Sequence, residues 1–255
     1  MGEVEWRRIA GFRVVMSWQG AYAPPPGTPP RRPRRPARSL RARAAGVAGV
    51  ALIAGGAAAV GLAVATQVHA PQPAPGAAGV IGPAARHAVG PWLPRSVPVS
   101  VDIPAIGVDS KLLHLGVTAD GAIQVPSLET QAGEAAWYKY SATPGQIGAS
   151  VIEGHLDSYG GPAVFFRLGA LRPGDRVDVT LADGVTAVFR VTGVREYAKS
   201  SFPAKSIYGA TDYAALRLIT CGGSFDYASG HYLSSTVVFA SLASSLPTGP
   251  DGPAR

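Results

Sequence analysis

Two regimes of hydrophobic and polar positions divide this chain. From Ala44 to Ala65 all 22 residues are Ala, Gly, Val, Leu or Ile, with no charged or polar side chain. At about 1.5 Å per residue such a helix spans roughly 33 Å, enough to cross a bilayer core of about 30 Å. From Val97 onward the pattern breaks into short segments. Val97–Ile103 alternates as VPVSVDI, a strand with one buried face. Ser110–Val117 and Ile123–Pro126 read as short strands around the turn Asp120-Gly121. Ala149–Glu153 is an apolar run leading into Gly154-His155, and Arg176–Leu181 and Thr186–Val194 flank Asp183-Gly184, a hairpin signal. Leu216–Thr220 leads into Cys221, and Ser235–Ala240 ends the series with TVVFA. One short helix is predicted around Pro162–Leu168. Many short strands and few helices predict a mainly β domain, closed or nearly closed as a barrel.

Composition fixes how much of the chain can fold this way. Gly (32) and Pro (23) are abundant and cluster in the first hundred residues, so the foldable part is shorter than the 255-residue chain. The boundaries that follow are a disordered Arg/Pro-rich tail at 1–43, an anchor at 44–66, a Pro/Gly/Ala-rich linker at 67–95, a folded domain at 96–243 and a disordered tail at 244–255. The net charge of +7 suggests a polyanion partner until it is divided by region. Residues 1–43 carry a net +8 and the remainder a net −1, so nucleic acid is not an expected partner. Seven arginines, from Arg31 to Arg43, lie immediately before the apolar run, and the next charged residue after it is Arg86. The positive-inside rule then makes this a single-pass membrane protein with a cytoplasmic N-terminus and an extracellular domain. Val68-His69-Ala70 has the small-residue pattern of a signal-peptide cleavage site, but the apolar run is longer than a signal core, which favours a retained anchor.

Cys221 is the chain's single cysteine, so no internal disulfide can form. It ends an apolar strand and precedes Gly222-Gly223, which would permit a sharp exit and leave backbone N–H groups beside the sulfur. Local sequence alone leaves open whether the thiol is a nucleophile or an inert buried side chain. Of the five histidines, His155 is the best partner: it ends a strand behind Gly154 and precedes the polar loop LDSYGG. His69 and His87 lie in the anchor edge and linker, His114 in a strand-like segment, and His231 in a loop. Spacing around Cys221 suggests no metal site, and nothing calls for a cofactor.

The segments VIEGHLDS (Val151–Ser158), Phe166-Arg167-Leu168 with Gly174-Asp175, and LITCGG (Leu218–Gly223) resemble the sortase family, closest to class F or the neighbouring class E of actinobacteria. The resemblance implies a closed eight-stranded β-barrel with one or two short helices and a cysteine transpeptidase acting through a thioester. Cys221 would attack a C-terminal sorting signal like Leu-Pro-x-Thr-Gly in an exported protein, and His155 would protonate the leaving amine. A cell-wall precursor amine, or water, would resolve the acyl-enzyme. Sortases usually carry an arginine about 12 positions beyond the cysteine, and here that position is Leu233. Arg217, which shares a strand face with Ile219 and Cys221, is one expected substitute, with Tyr232 or backbone N–H groups as the others, and Ile219, Gly222 and Tyr232 are expected to line the substrate groove. Asp157 and Glu153 lie near enough to orient His155, although each reads first as a solvated carboxylate. Two other readings compete. An L,D-transpeptidase would need a Ser-x-Gly-Cys motif, which Ile219-Thr220-Cys221-Gly222 does not supply. A degenerate barrel that binds peptide without cleaving it is the non-enzymatic alternative.

Overall fold

The computed structural model describes residues 69–80, 91–119 and 121–247. The predicted N-terminal tail and membrane anchor lie outside these residues, and among the described ones no helix is long and apolar enough to cross a membrane.

Ten strands form: β1 (Pro98–Ile103), β2 (Val108–Leu115), β3 (Ala135–Tyr138), β4 (Gly148–Glu153), β5 (Asp157–Ser158), β6 (Gly161–Pro162), β7 (Arg176–Leu181), β8 (Val185–Ala198), β9 (Ala214–Asp226) and β10 (His231–Pro247). Eight close a barrel in the order β1-β2-β3-β4-β9-β10-β8-β7, while β5 and β6 pair as a separate ribbon. One short helix, α1 (Ala204–Tyr208), lies in the β8–β9 connection. The predicted mainly β, eight-stranded barrel is therefore what the chain forms.

Burial differs around the barrel, and the sequence pattern follows it. On β1, Val101 and Ile103 fill the interior while Ser100 and Asp102 stay half-exposed, the period-two pattern of a strand with one wet face. On β9 every residue from Ala214 to Gly222 is buried, as are Ala149–Glu153 of β4 and Ser235–Leu242 of β10. These strands are covered twice. Leu216, Leu218, Val238 and Ala240 face the barrel interior. Val151, Ile219, Val237 and Phe239 face outward into a second cluster closed by Phe202 and Ile207 of the β8–β9 connection. Burial on both faces explains why these strands read as unbroken apolar runs.

Several boundaries depart from the sequence reading. The helix expected at Pro162–Leu168 does not form, and a 3-10 turn covers Leu168–Ala170 instead. The backbone donors of Val164 and Phe165 are used in long-range bonds to Ala132 and His155 carbonyls, which leaves no local ladder for a helix. Ile123–Pro126 contributes an isolated bridge, Val117 to Ile123, rather than a strand. Residues 71–80 are part of the domain rather than a free spacer. Ala77 is buried, Val80 N–H donates to Thr192 O, Val194 N–H donates to Ala77 O, and Arg195 donates to the Ala78 and Gly79 carbonyls. At the other end, Ser244–Pro247 belongs to β10, paired with Val188–Val185 of β8, instead of to a disordered tail.

Candidate active site

β4 and β9 run parallel, with Val151 opposite Arg217 and Glu153 opposite Ile219. Opposed residues in a ladder share a face, so all four sit on the outer, doubly covered wall. The ladder continues past the end of β4, where Gly154 N–H donates to Ile219 O at 3.1 Å. Extended two residues beyond its last pair, Glu153 with Ile219, that register points to His155 and Cys221 at one level of neighbouring strands, which lie about 5 Å apart. Glycine is required at 154, because a Cβ there would come within 2.7 Å of both Val164 Cγ1 and Phe165 Cδ2.

His155 is 7% exposed, and its Nε2–H donates to the Pro126 carbonyl at 2.7 Å. That bond fixes the tautomer and leaves Nδ1 to accept a proton. Burial pulls the imidazole pKa down, and the Pro126 bond and the charge of Asp157 act against that pull. The ring is therefore poised as a neutral base.

Cys221 is also 7% exposed. Burial pushes its thiol up to about 11; Lys199 lowers it, and Asp157 and Glu153 raise it further. Lys199 Nζ donates to the sulfur at 3.6 Å. Burial thus favours the neutral thiol at Cys221 and the neutral imidazole at His155. Gly222 and Gly223 do not end the strand, since β9 runs on to Asp226 and turns into β10. Their role is close approach: a Cβ on Gly222 would lie 2.6 Å from Thr236 Oγ1, and one on Gly223 would lie 2.7 Å from Ser234 Oγ.

Arg217 does not reach this point. Its side chain is 1% exposed, its guanidinium lies over the Phe239 ring at 4.8 Å, and it donates to Leu216 O and to Tyr213 Oη. Tyr213 lies at the far end of β9 from Cys221, so the guanidinium is directed away from the thiol. The groups named with the thiol divide as follows. Ile219 is packed in the outer cluster and holds Gly154 through its carbonyl. Tyr232 donates its hydroxyl to Asp157 Oδ2, tying β10 to β5, and its phenol is pushed up by burial first and then by the bond and charge of Asp157. Glu153 is not a solvated carboxylate: it is 1% exposed and accepts from Tyr208 Oη at 2.9 Å. Its Oε2 has no partner among the described residues, and burial pushes the carboxyl up to about 7. Leu233, on the strand between, is 53% exposed.

Lys199 is the residue that sequence reasoning missed. It lies 22 positions before Cys221, just past the end of a different strand, and no local motif marks it. The register brings it in. Cys221 of β9 faces Ser235 of β10, which faces Tyr197 of β8. Lys199 follows two residues later, in a short 3-10 turn at Lys199–Ser201. Among the described residues no cluster of three His, Cys, Asp or Glu could hold a metal ion. The contact of a thiol with an ammonium, at the end of the wall that also carries an imidazole, is an arrangement that could serve acyl transfer.

A family model described as the sortase domain matches residues 101–243. No curated protein sequence matches the chain. Among solved structures, the chain is similar to sortase C1 from Streptococcus agalactiae, at 18% identity and TM-score 0.44, over 57% of this chain and 67% of that one. It is also similar to sortase A from Listeria monocytogenes, at 16% identity and TM-score 0.45, over 62% of this chain and 93% of that one. A sortase from Actinomyces oris matches at 20% identity and TM-score 0.44, over 67% of this chain and 93% of that one.

Proposed function

The chain belongs to the sortase family, and from that premise we propose a membrane-anchored cysteine transpeptidase of class F, or the neighbouring class E, that cleaves an LPxTG-like sorting signal. Cys221 is the nucleophile and His155 its base. The substrate is an exported protein, and the acyl group passes to a cell-wall amine or to water. Placement at the outer membrane surface rests on the apolar run at 44–66 and its arginine flank.

The observation that supports this reading most is the parallel β4–β9 register, which brings residues 66 positions apart to one end of one wall. With a neutral thiol and a neutral imidazole, attack begins by proton transfer from Sγ to Nδ1. The Pro126 carbonyl holds the ring as it becomes cationic. The same proton then serves the departing amine, so one base works twice. Water has little access to a thiol at 7% exposure, which slows hydrolysis of the ester while an amine is awaited.

The test is cleavage of a quenched Leu-Pro-x-Thr-Gly peptide by the full chain and by Cys221→Ala. Turnover by the parent and loss of at least about 10³-fold in the variant is the expected result. Binding without turnover would favour a peptide-binding barrel, and turnover that survives Cys221→Ala would remove the cysteine mechanism.

A further inference from the structure

We propose that Lys199 is a catalytic residue whose ammonium holds the negative charge that develops on Cys221 and then on the carbonyl oxygen of the substrate. The inference deepens the transpeptidase reading above and rests on it.

The chemistry creates the need. When Cys221 Sγ attacks, its proton passes to His155 Nδ1, an S–C bond forms, and the carbonyl electron pair moves onto oxygen. Collapse restores the C=O bond and breaks the C–N bond. The electron pair leaves with nitrogen, which takes its proton from His155. Negative charge therefore appears on sulfur and on oxygen in turn, within a few ångströms. The groups that act on the sulfur are Asp157 and Glu153, which oppose that charge, Tyr232, whose hydroxyl is engaged by Asp157, and Lys199. Arg217 is committed to Phe239, Leu216 and Tyr213. Leu233 has no charge to offer. The cation in contact with the reacting sulfur is Lys199, at 3.6 Å.

The fold holds that cation in place. Ala198 ends β8 opposite Ser234, one residue from the row that joins Tyr197, Ser235 and Cys221 across three strands. From the turn that follows, a lysine spans the width of β10 to reach the sulfur. The turn is anchored by Phe202, which packs in the outer cluster and lies 6.1 Å from the Tyr197 ring. Ser235, facing Cys221 directly, has a buried hydroxyl without a partner among the described residues, a second donor on the same side. An ammonium has no lone pair with which to intercept the thioester.

The experiment measures two quantities on the full chain, the parent against Lys199→Met and Lys199→Arg. The first is the rate of Cys221 alkylation by iodoacetamide from pH 6 to 10. The second is peptide turnover, separated into kcat and KM. Lys199→Met is expected to slow alkylation at pH 8 about tenfold, because a lost cation disfavours the thiolate. It should lower kcat by about 10²-fold, the scale of one lost oxyanion donor, with little change in KM. Lys199→Arg should recover most of both, which a packing role would not predict. Alkylation needs no sorting peptide, so it decides on Lys199 even if no peptide is turned over, and the two readings fail separately. An alkylation profile in Lys199→Met that overlays the parent, or an unchanged kcat, would overturn the proposal.

Discussion

Two walls of one barrel are built on opposite terms. The β1–β2–β7 wall has a dry face and a wet one: Val101, Ile103, Leu112, Val177 and Val179 fill the interior, while Val99, Asp109 and Lys111 reach solvent. The β4–β9–β10 wall is dry on both sides, yet its outer face buries Glu153, His155, Arg217 and Cys221. A wall built for stability alone would fill that face with aliphatic groups, since a buried polar group costs free energy unless it is fully paired. Glu153 Oε2 and Arg217 Nε have no partner among the described residues. The difference teaches where chemistry is housed: the doubly covered wall gives up stability to hold a dry, ordered set of titratable groups.

That contrast can be broken in several ways. The largest effect belongs to the base. His155→Gln should lower kcat for peptide cleavage by about 10²–10⁴-fold while leaving the thermal transition nearly in place, measured by turnover and calorimetry together. Next come paired truncations. Ile103→Ala on the first wall and Phe202→Ala on the second should each cost about 2–5 kcal/mol in denaturant unfolding. Activity at saturating peptide should separate them. Phe202→Ala loosens the turn that carries Lys199 and should lower kcat severalfold, whereas Ile103→Ala should not. Equal activities in the two variants would erase the distinction between the walls.

A smaller effect reports the cost of the second wall directly. The folded state holds the Glu153 carboxyl proton up to about pH 7, whereas the ordinary value is 4.5. Between those values the folded state binds more protons than the unfolded chain, so stability is full below 4.5 and falls as pH rises through 7. The loss attributable to this group is about 3 kcal/mol when complete. Glu153→Gln keeps an acceptor for Tyr208 and removes the ionisation. Its stability relative to the parent should therefore improve steadily from pH 4.5 to 8, and a difference that does not change with pH would assign the slope elsewhere.

The same contrast governs what could be read from sequence. β1, β2 and the β7–β8 hairpin were legible because one wet face imposes alternation and Asp183-Gly184 marks a turn. β3, AAWY, was missed because three buried residues and a half-buried Tyr138 carry no period, and α1 because five residues are too few to show one. The end of β10 looked like a tail because Ser244, Ser245 and Leu246 are exposed even while paired with β8. At the site, Cys221 and His155 were singled out from neighbouring glycines and motif residues. Arg217 was placed on the correct face, but alternation gives a side and not a direction along the strand. Lys199 could not be found at all, because its relation to the thiol runs through two strand registers that no local pattern encodes.

One measurement bears most directly on the claim that Cys221 forms the covalent intermediate. Full chain mixed with a Leu-Pro-x-Thr-Gly peptide, quenched in acid within seconds, should show by intact mass an increment equal to the peptide fragment up to its threonine. Proteolysis should map that increment to Cys221, and hydroxylamine should release it as a thioester. An unmodified cysteine while peptide is being consumed, or an adduct carried by another residue, would contradict the account.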